Sequence, residues 1–212
     1  MTNPHVTGGG RRQTQLTRAR ILEAARQELG RDPDSSLGDI AEAAGVVRRT
    51  VYDHFAGRSA LVGGLVADAA EALRRAPTDV TSPSSDAVTA MARFVLALWP
   101  VGDRYRTLLR LAPQDMGADR VDEILGPARA TATAITERGQ RQGVFHTSVP
   151  PEPLSRALEG LILALLECVN AGTWSDDGTR TATAALIAVG VDGDLAAARV
   201  RELSAPSLVA AQ

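Results

Sequence analysis

The sequence predicts an all-α protein, and three observations carry that prediction. Apolar residues recur at offsets of three, four and seven along most of the chain. Alanine is abundant while aromatics make up only 3% of residues, a composition suited to closely packed helices. No run of alternating β-branched residues is long enough to read as a strand. With 212 residues and 44% apolar content, the chain can bury a sizeable helical core in one larger domain or two small ones.

Taken in order, Met1 to Gly10 is rich in Gly, Thr, Asn and Pro and is expected to be a flexible arm, extending to residue 12. Arg11 and Arg12 are then placed just ahead of the first helix. Leu16 to Gly30 reads as an amphipathic helix ending at a glycine. Ser36 with Asp39 three residues later is the pattern of an N-cap and a reciprocating acid, so a second helix should begin near Leu37. Leu37, Ile40, Ala41 and Ala44 share one face of it. Gly45 supplies the freedom for a tight turn, and a third periodic segment follows through Val47, Val51 and Phe55. Helix, glycine turn and helix make a helix-turn-helix unit.

On the second helix of that unit, Arg48, Arg49, Thr50, Tyr52 and His54 are left facing outward. Arginine forks onto guanine edges or phosphate, and Thr, Tyr and His donate to phosphate oxygens, which is what a helix laid in the major groove of DNA requires. A solvated turn that happens to carry two arginines is the plainer alternative. Ahead of the unit, Arg11 and Arg12 could reach an adjacent minor groove, although ordinary surface charge explains them as well.

Downstream, Leu61, Leu65, Ala69, Ala72 and Leu73 keep helical spacing from Arg58 to Ala76, where Pro77 should stop the helix. Pro77 to Ser85 reads as a loop, with Ser85 a candidate cap for a helix over Asp86 to Leu98 that Trp99-Pro100 ends. A shorter helix over Asp103 to Leu111 should stop before Pro113. Another should run from Asp119 to Gln142, with a break or bend at Gly126-Pro127. Pro150-Pro151 opens a helix over Glu152 to Ala171 that is apolar nearly all round, so it needs cover on two sides. Helices over Thr179 to Val191 and Leu195 to Leu203 complete a set of about nine. The expected division is an arm (1–12), a helix-turn-helix domain (13–57), a larger helical domain (58–203) and a tail (204–212).

The residues from Thr17 to Leu65 resemble the N-terminal domain of the tetracycline-repressor (TetR) family of transcription regulators. The strongest markers are Ile40-Ala41, Ala44-Gly45-Val46, Thr50-Val51-Tyr52, His54-Phe55 and Leu61. The resemblance implies a homodimer that binds double-stranded DNA at a palindromic operator as a repressor and is released by a small effector in the larger domain. It also implies that Thr50 and Tyr52 hold phosphates, that Arg48, Arg49 and His54 face bases or backbone, and that Arg58 completes the backbone contacts. Thr17, Ser36, Arg11 and Arg12 join the candidate DNA-binding set. Val47 departs from the family's usual Ser or Thr cap, Arg49 from a common small residue, and Arg58 from a common Lys.

By the same resemblance the last two long helices pair with their twofold copies into a four-helix bundle, for which Leu158, Leu161, Leu165, Leu186 and Val189 are candidate interface residues. For the effector, residue type alone points to Met91, Phe94, Trp99, Tyr105 and Met116 as bulky apolar lining, with Glu167, Arg106, Arg110 and His146 as polar anchors. Core packing is the competing account of the apolar group. A small apolar effector is the expected ligand, and no metal or cofactor is expected.

Formal charge is -2, which argues against a general polyanion binder. Residues 1–60 hold nine arginines against seven acids and the remainder fourteen against eighteen, so the weak asymmetry has the sign a local DNA-facing patch needs. The single cysteine, Cys168, excludes an internal disulfide and a cysteine-based zinc site, and is expected to be a buried inert thiol. No window reaches the ~18 apolar residues of a membrane span, so the expected location is the cytoplasm. His5, His54 and His146 show no metal-binding spacing, and no glycine-rich phosphate cradle follows a strand, so an enzyme is not expected. A helical interaction protein that kept the fold without reading DNA is the second hypothesis.

Overall fold

The computed structural model describes residues 7–76 and 86–205. All ordered elements among them are helices: α1 (Thr7–Arg31), α2 (Leu37–Ala43), α3 (Arg48–His54), α4 (Arg58–Arg75), α5 (Ala87–Tyr105), α6 (Leu108–Met116), α7 (Ala118–Arg141), α8 (Pro151–Asn170), α9 (Thr179–Ala188) and α10 (Gly193–Ser204). None is long and apolar enough to cross a membrane. The helices fall into two compact units. One ends at Ala69 and takes in Thr107–Val121; the other holds Ala70–Arg106 and the chain from Asp122 onward.

In the first unit, Ile21, Leu22, Ala25 and Leu29 of α1 are buried, with Ile40 and Ala41 of α2, Val51 of α3, and Leu61, Val62 and Leu65 of α4. These are the positions that the 3.6-residue spacing assigns to one face. α6 belongs to this unit as well: Ser59 donates to the Asp115 carbonyl at 3.0 Å, and Met116 lies beside Gly63.

The core of the second unit joins Ala87, Val88, Met91, Phe94 and Val95 of α5 to Ile135 of α7, Leu154 and Leu158 of α8, Leu186 of α9, and Ala196 and Val200 of α10. Asp86 caps α5, accepting from the Thr89 amide at 2.8 Å, where Ser85 had been the candidate; Ser85 and the 77–85 loop lie outside the described residues. Pro151 opens α8 in its first turn, as expected.

The four largest departures from the sequence expectation concern helix boundaries, and three of them involve proline. α5 continues through Pro100 to Tyr105, α6 runs Leu108–Met116 through Pro113 instead of 103–111, and α7 is unbroken across Gly126-Pro127. All three prolines are exposed. The carbonyl that each deprives of a donor lies four residues back on the same face, within reach of water, while buried Trp99, Leu111 and Ala112 hold the adjoining turns in place. The fourth difference is at the start. α1 begins at Thr7, so Arg11 and Arg12 are exposed residues of a helix and not of an arm ahead of it; residues 1–6 and 206–212 lie outside the described residues.

Candidate nucleic-acid interface and cavity

α2 starts as its sequence requires. The Ser36 hydroxyl accepts from the Gly38 and Asp39 amides at 3.2 and 3.3 Å, and the Asp39 carboxylate accepts from the Ser36 amide at 2.8 Å. The Ser36 amide, and then its hydroxyl, hold the Asp39 carboxyl below its ordinary value. The stabilisation this adds is complete above the unfolded-state pKa and drains away as pH falls through the lowered folded value. Ser36→Ala is expected to cost about 1 kcal/mol of head stability, read as a lower urea midpoint with unchanged slope.

α2 ends on Gly45, whose φ of +61° is the left-handed conformation that favours glycine. The Gly45 and Val46 amides close back on the Glu42 and Ala41 carbonyls, both at 2.9 Å, and this double closure aims the following chain into α3. Buried Val51 anchors α3, and Val47 stands at its N-cap with no side-chain hydrogen bond, 71% exposed.

The resulting face presents Arg48, Arg49 and Tyr52 fully outward, with Thr50 and His54 half-buried at its edges. Arg48 lies over the Tyr52 ring at 5.7 Å and its guanidinium reaches the Tyr52 hydroxyl at 3.4 Å, so the two side chains stand together. Thr17 is half-buried on α1. Ser36 is exposed, and its hydroxyl hydrogen remains free to donate after its oxygen has capped α2. Asp53 is exposed on the same helix, an acid between Tyr52 and His54.

Arg58 is placed differently from the expectation. Its guanidinium donates to the Pro33 carbonyl at 2.6 Å and the Ser35 carbonyl at 3.3 Å, with the Asp115 carboxylate 3.9 Å away. It ties the loop before α2 to the start of α4, and two of its nitrogens are already engaged inside the head.

The second unit contains a cavity of about 110 Å³. Met91, Phe94 and Trp99 line it, as the sequence suggested, together with Leu158, Leu166 and Ala185. Tyr105, Met116 and Glu167 do not line it, which corrects those three assignments. Tyr105 is buried away from the cavity, Met116 belongs to the first unit, and Glu167 accepts from the Asn170 amide nitrogen at 3.1 Å. Of the suggested anchors, Arg106 pairs with Asp103 at 2.8 Å, Arg110 is exposed, and His146 reaches the Ala188 carbonyl at 3.2 Å.

The ionisable residues that do line the cavity were not foreseen. Arg129 of α7 makes a two-pronged pair with Glu159 of α8, at 2.7 and 2.9 Å, and also reaches Asp122 at 2.8 Å. Glu159 is an acid within a nearly continuous apolar run, and that anomaly was legible in the sequence. Hydrogen bonding from Arg129 lowers the Asp122 carboxyl from its ordinary value, and Arg156 joins it at 3.2 Å.

The family model described as "Bacterial regulatory proteins, tetR family" matches residues 21–65, the stretch holding α2, the Gly45 turn, α3 and the first part of α4. The head is similar to the N-terminal domain of TetR-family regulators. Over 96 residues the chain is 38% identical to the HTH-type transcriptional repressor LfrR of Mycolicibacterium smegmatis (strain ATCC 700084 / mc(2)155), a stretch covering 45% of this chain and 49% of that one. The chain thus spans about half the length of this curated relative. The TetR family transcriptional regulator PfmR from Thermus thermophilus superposes with a TM-score of 0.67 at 19% identity, covering 81% of this chain and 98% of that one. A bacterial regulatory protein in the tetR family from Rhodococcus RHA1 gives 0.66 at 19% identity, covering 83% and 98%. The TetR-like fold therefore extends well beyond the matched head.

Leu158, Leu186 and Val189 are buried in this chain's own core, which corrects their assignment to a contact surface. Leu161 and Leu165 remain half-exposed, beside exposed Ala157, Gly160, Ala164 and Cys168. Cys168 is therefore an exposed thiol, not the buried one expected.

Proposed function

We propose that this chain is a DNA-binding transcriptional regulator that represses from a palindromic operator as a homodimer and is released by a small molecule held in the cavity of its second unit. The observation that carries the reading is the outward face of α3, where Arg48, Arg49 and Tyr52 are exposed and, among the described residues, Arg48 and Tyr52 meet each other. In this reading Thr50 and Tyr52 hold phosphates, Arg48, Arg49 and His54 meet base edges or backbone, and Thr17, Ser36, Arg11 and Arg12 add contacts along the duplex. Arg58 acts by positioning the loop before α2.

The strip formed by Ala157, Gly160, Leu161, Ala164 and Leu165 supports dimerisation, since small and apolar residues on one helix face let a second copy approach closely. A twofold pair would set two α3 helices on half-sites about 34 Å apart, one turn of DNA. Release by a ligand requires that it bind the DNA-free arrangement more tightly than the DNA-bound one.

Fluorescence anisotropy with duplexes from the DNA flanking its own gene tests the reading. The expected result is saturable binding to a palindromic segment, weakening steeply as salt rises because phosphate contacts release counterions. Binding that is absent at low salt, or equal on every duplex, would instead favour a helical interaction protein of the same fold.

A further inference from the structure

The walls of the cavity constrain what can occupy it. Its volume of about 110 Å³ is of the order of the ~150 Å³ apolar cavity that takes one benzene. The lining is aliphatic and aromatic except for Ser155, Arg129 and Glu159. The Ser155 hydroxyl donates to the Pro151 carbonyl at 2.8 Å and is not free to donate to a guest. Arg129 directs its Nε to Glu159 and its Nη2 to both Glu159 and Asp122, so the two charges that line the cavity offset each other. A charged guest would be desolvated against apolar walls with no unpaired counter-charge to receive it. Each oxygen of Glu159 accepts from Arg129 and still keeps a lone pair for one further donor.

We infer that the cavity selects an uncharged molecule of about one aromatic ring, with room for a hydroxyl donated to Glu159, and that the Arg129–Glu159 pair is the filter that rejects ions. The inference rests on the reading of the cavity as the ligand site. An adjoining hollow of about 190 Å³ shares Leu73, Phe94, Leu98 and Ala128 with it, so these four side chains form the partition a guest would displace. Trp99 borders the cavity, stands edge-on to Trp174 with ring centres 6.0 Å apart, and donates to the Asp176 carbonyl at 3.1 Å. Indole fluorescence should therefore report occupancy.

The test titrates toluene, phenol, benzoate and benzylammonium into the full chain, followed by tryptophan emission and calorimetry. Toluene and phenol are expected to bind, and both ions to bind at least about tenfold more weakly. Glu159→Gln leaves Arg129 paired with Asp122 alone, so benzoate should gain about tenfold or more, phenol should weaken as it loses its charged acceptor, and toluene, which has no hydroxyl to donate, should keep its affinity within a few fold. Ala132→Leu, on the cavity wall, should abolish phenol binding. Should that variant lose helical content, the removal of charge in Glu159→Gln still decides the matter. An ion that binds the native chain as tightly as phenol overturns the inference. So does the failure of both neutral probes to bind, or benzoate binding that Glu159→Gln leaves unchanged. Operator anisotropy without any probe separates this from the regulator reading: a chain that binds DNA but no neutral ring overturns only the filter, and one that binds the ring but no DNA supports the filter while overturning the regulator.

Discussion

Replacing Arg48 and Arg49 together with alanine is expected to weaken operator binding by roughly two orders of magnitude, because each bidentate base contact is worth ~1–3 kcal/mol. Both side chains are exposed, and neither is part of the core that Val51 anchors, so helical content and melting temperature should stay within experimental error. Separating the two substitutions is informative. Arg48 also lies against Tyr52, so Arg48→Ala frees the phenol as well, and its effect should not add simply to that of Tyr52→Phe. Arg49 has no such neighbour among the described residues. If Arg49 reads a base, Arg49→Ala relaxes the preference at one operator position; if it only meets phosphate, it weakens all sequences alike and flattens the salt slope by about one. An unchanged affinity in the double variant would show that another face meets the duplex. Anisotropy across a salt series, with operator and scrambled duplexes side by side, makes these distinctions.

Why this face could be read from the sequence, when other features could not, follows from the range of the forces involved. The start of α2 is decided by Ser36 and Asp39, its end by the positive φ of Gly45, and the orientation of α3 by the hydrogen bonds that close that turn. All of these act across five residues or fewer. The prolines show the opposite case. Proline in a helix costs about 3 kcal/mol locally, yet Pro100, Pro113 and Pro127 sit on solvent faces of helices whose other faces are buried. Burial decided those boundaries, and burial depends on neighbours distant in the chain.

The same distinction sorts the second unit. A helix that is apolar nearly all round does not announce which side faces its own core, so Leu158 was indistinguishable from Leu161 and Leu165 until α5 and α9 were in place. Met91, Phe94 and Trp99 were found by size and type alone. Arg129 and Glu159 are 30 positions apart, and nothing local to either residue marks them as partners. Only the charge of Glu159 amid apolar neighbours hinted that something must neutralise it.

Gly139→Ala is expected to be among the most damaging single substitutions in the second unit. Gly139 lies near the end of α7, where the Val144 and Phe145 amides turn back onto its carbonyl at 3.0 and 3.2 Å. The turn folds the Phe145 ring directly over the glycine, and a Cβ there would fall inside the ring's van der Waals surface. Phe145 is buried in the core, while Gln140 fixes the chain on either side of the following turn by donating to the His146 and Val149 carbonyls at 2.9 and 2.8 Å. The ring therefore has little room to retreat. Overpacking costs ~1–3 kcal/mol, and expelling a phenylalanine from a core ~3–5 kcal/mol, so a loss of roughly 2–4 kcal/mol is expected, lowering the melting temperature by roughly 5–15 °C. Gly126 supplies the control. It lies on the same helix with open space where a Cβ would go, so Gly126→Ala should be neutral or add up to about 1 kcal/mol through helix propensity. Circular-dichroism melts of the two variants should move in opposite directions or leave only Gly139→Ala displaced. Equal shifts would mean that Phe145 does not pack on α7 as the structure places it.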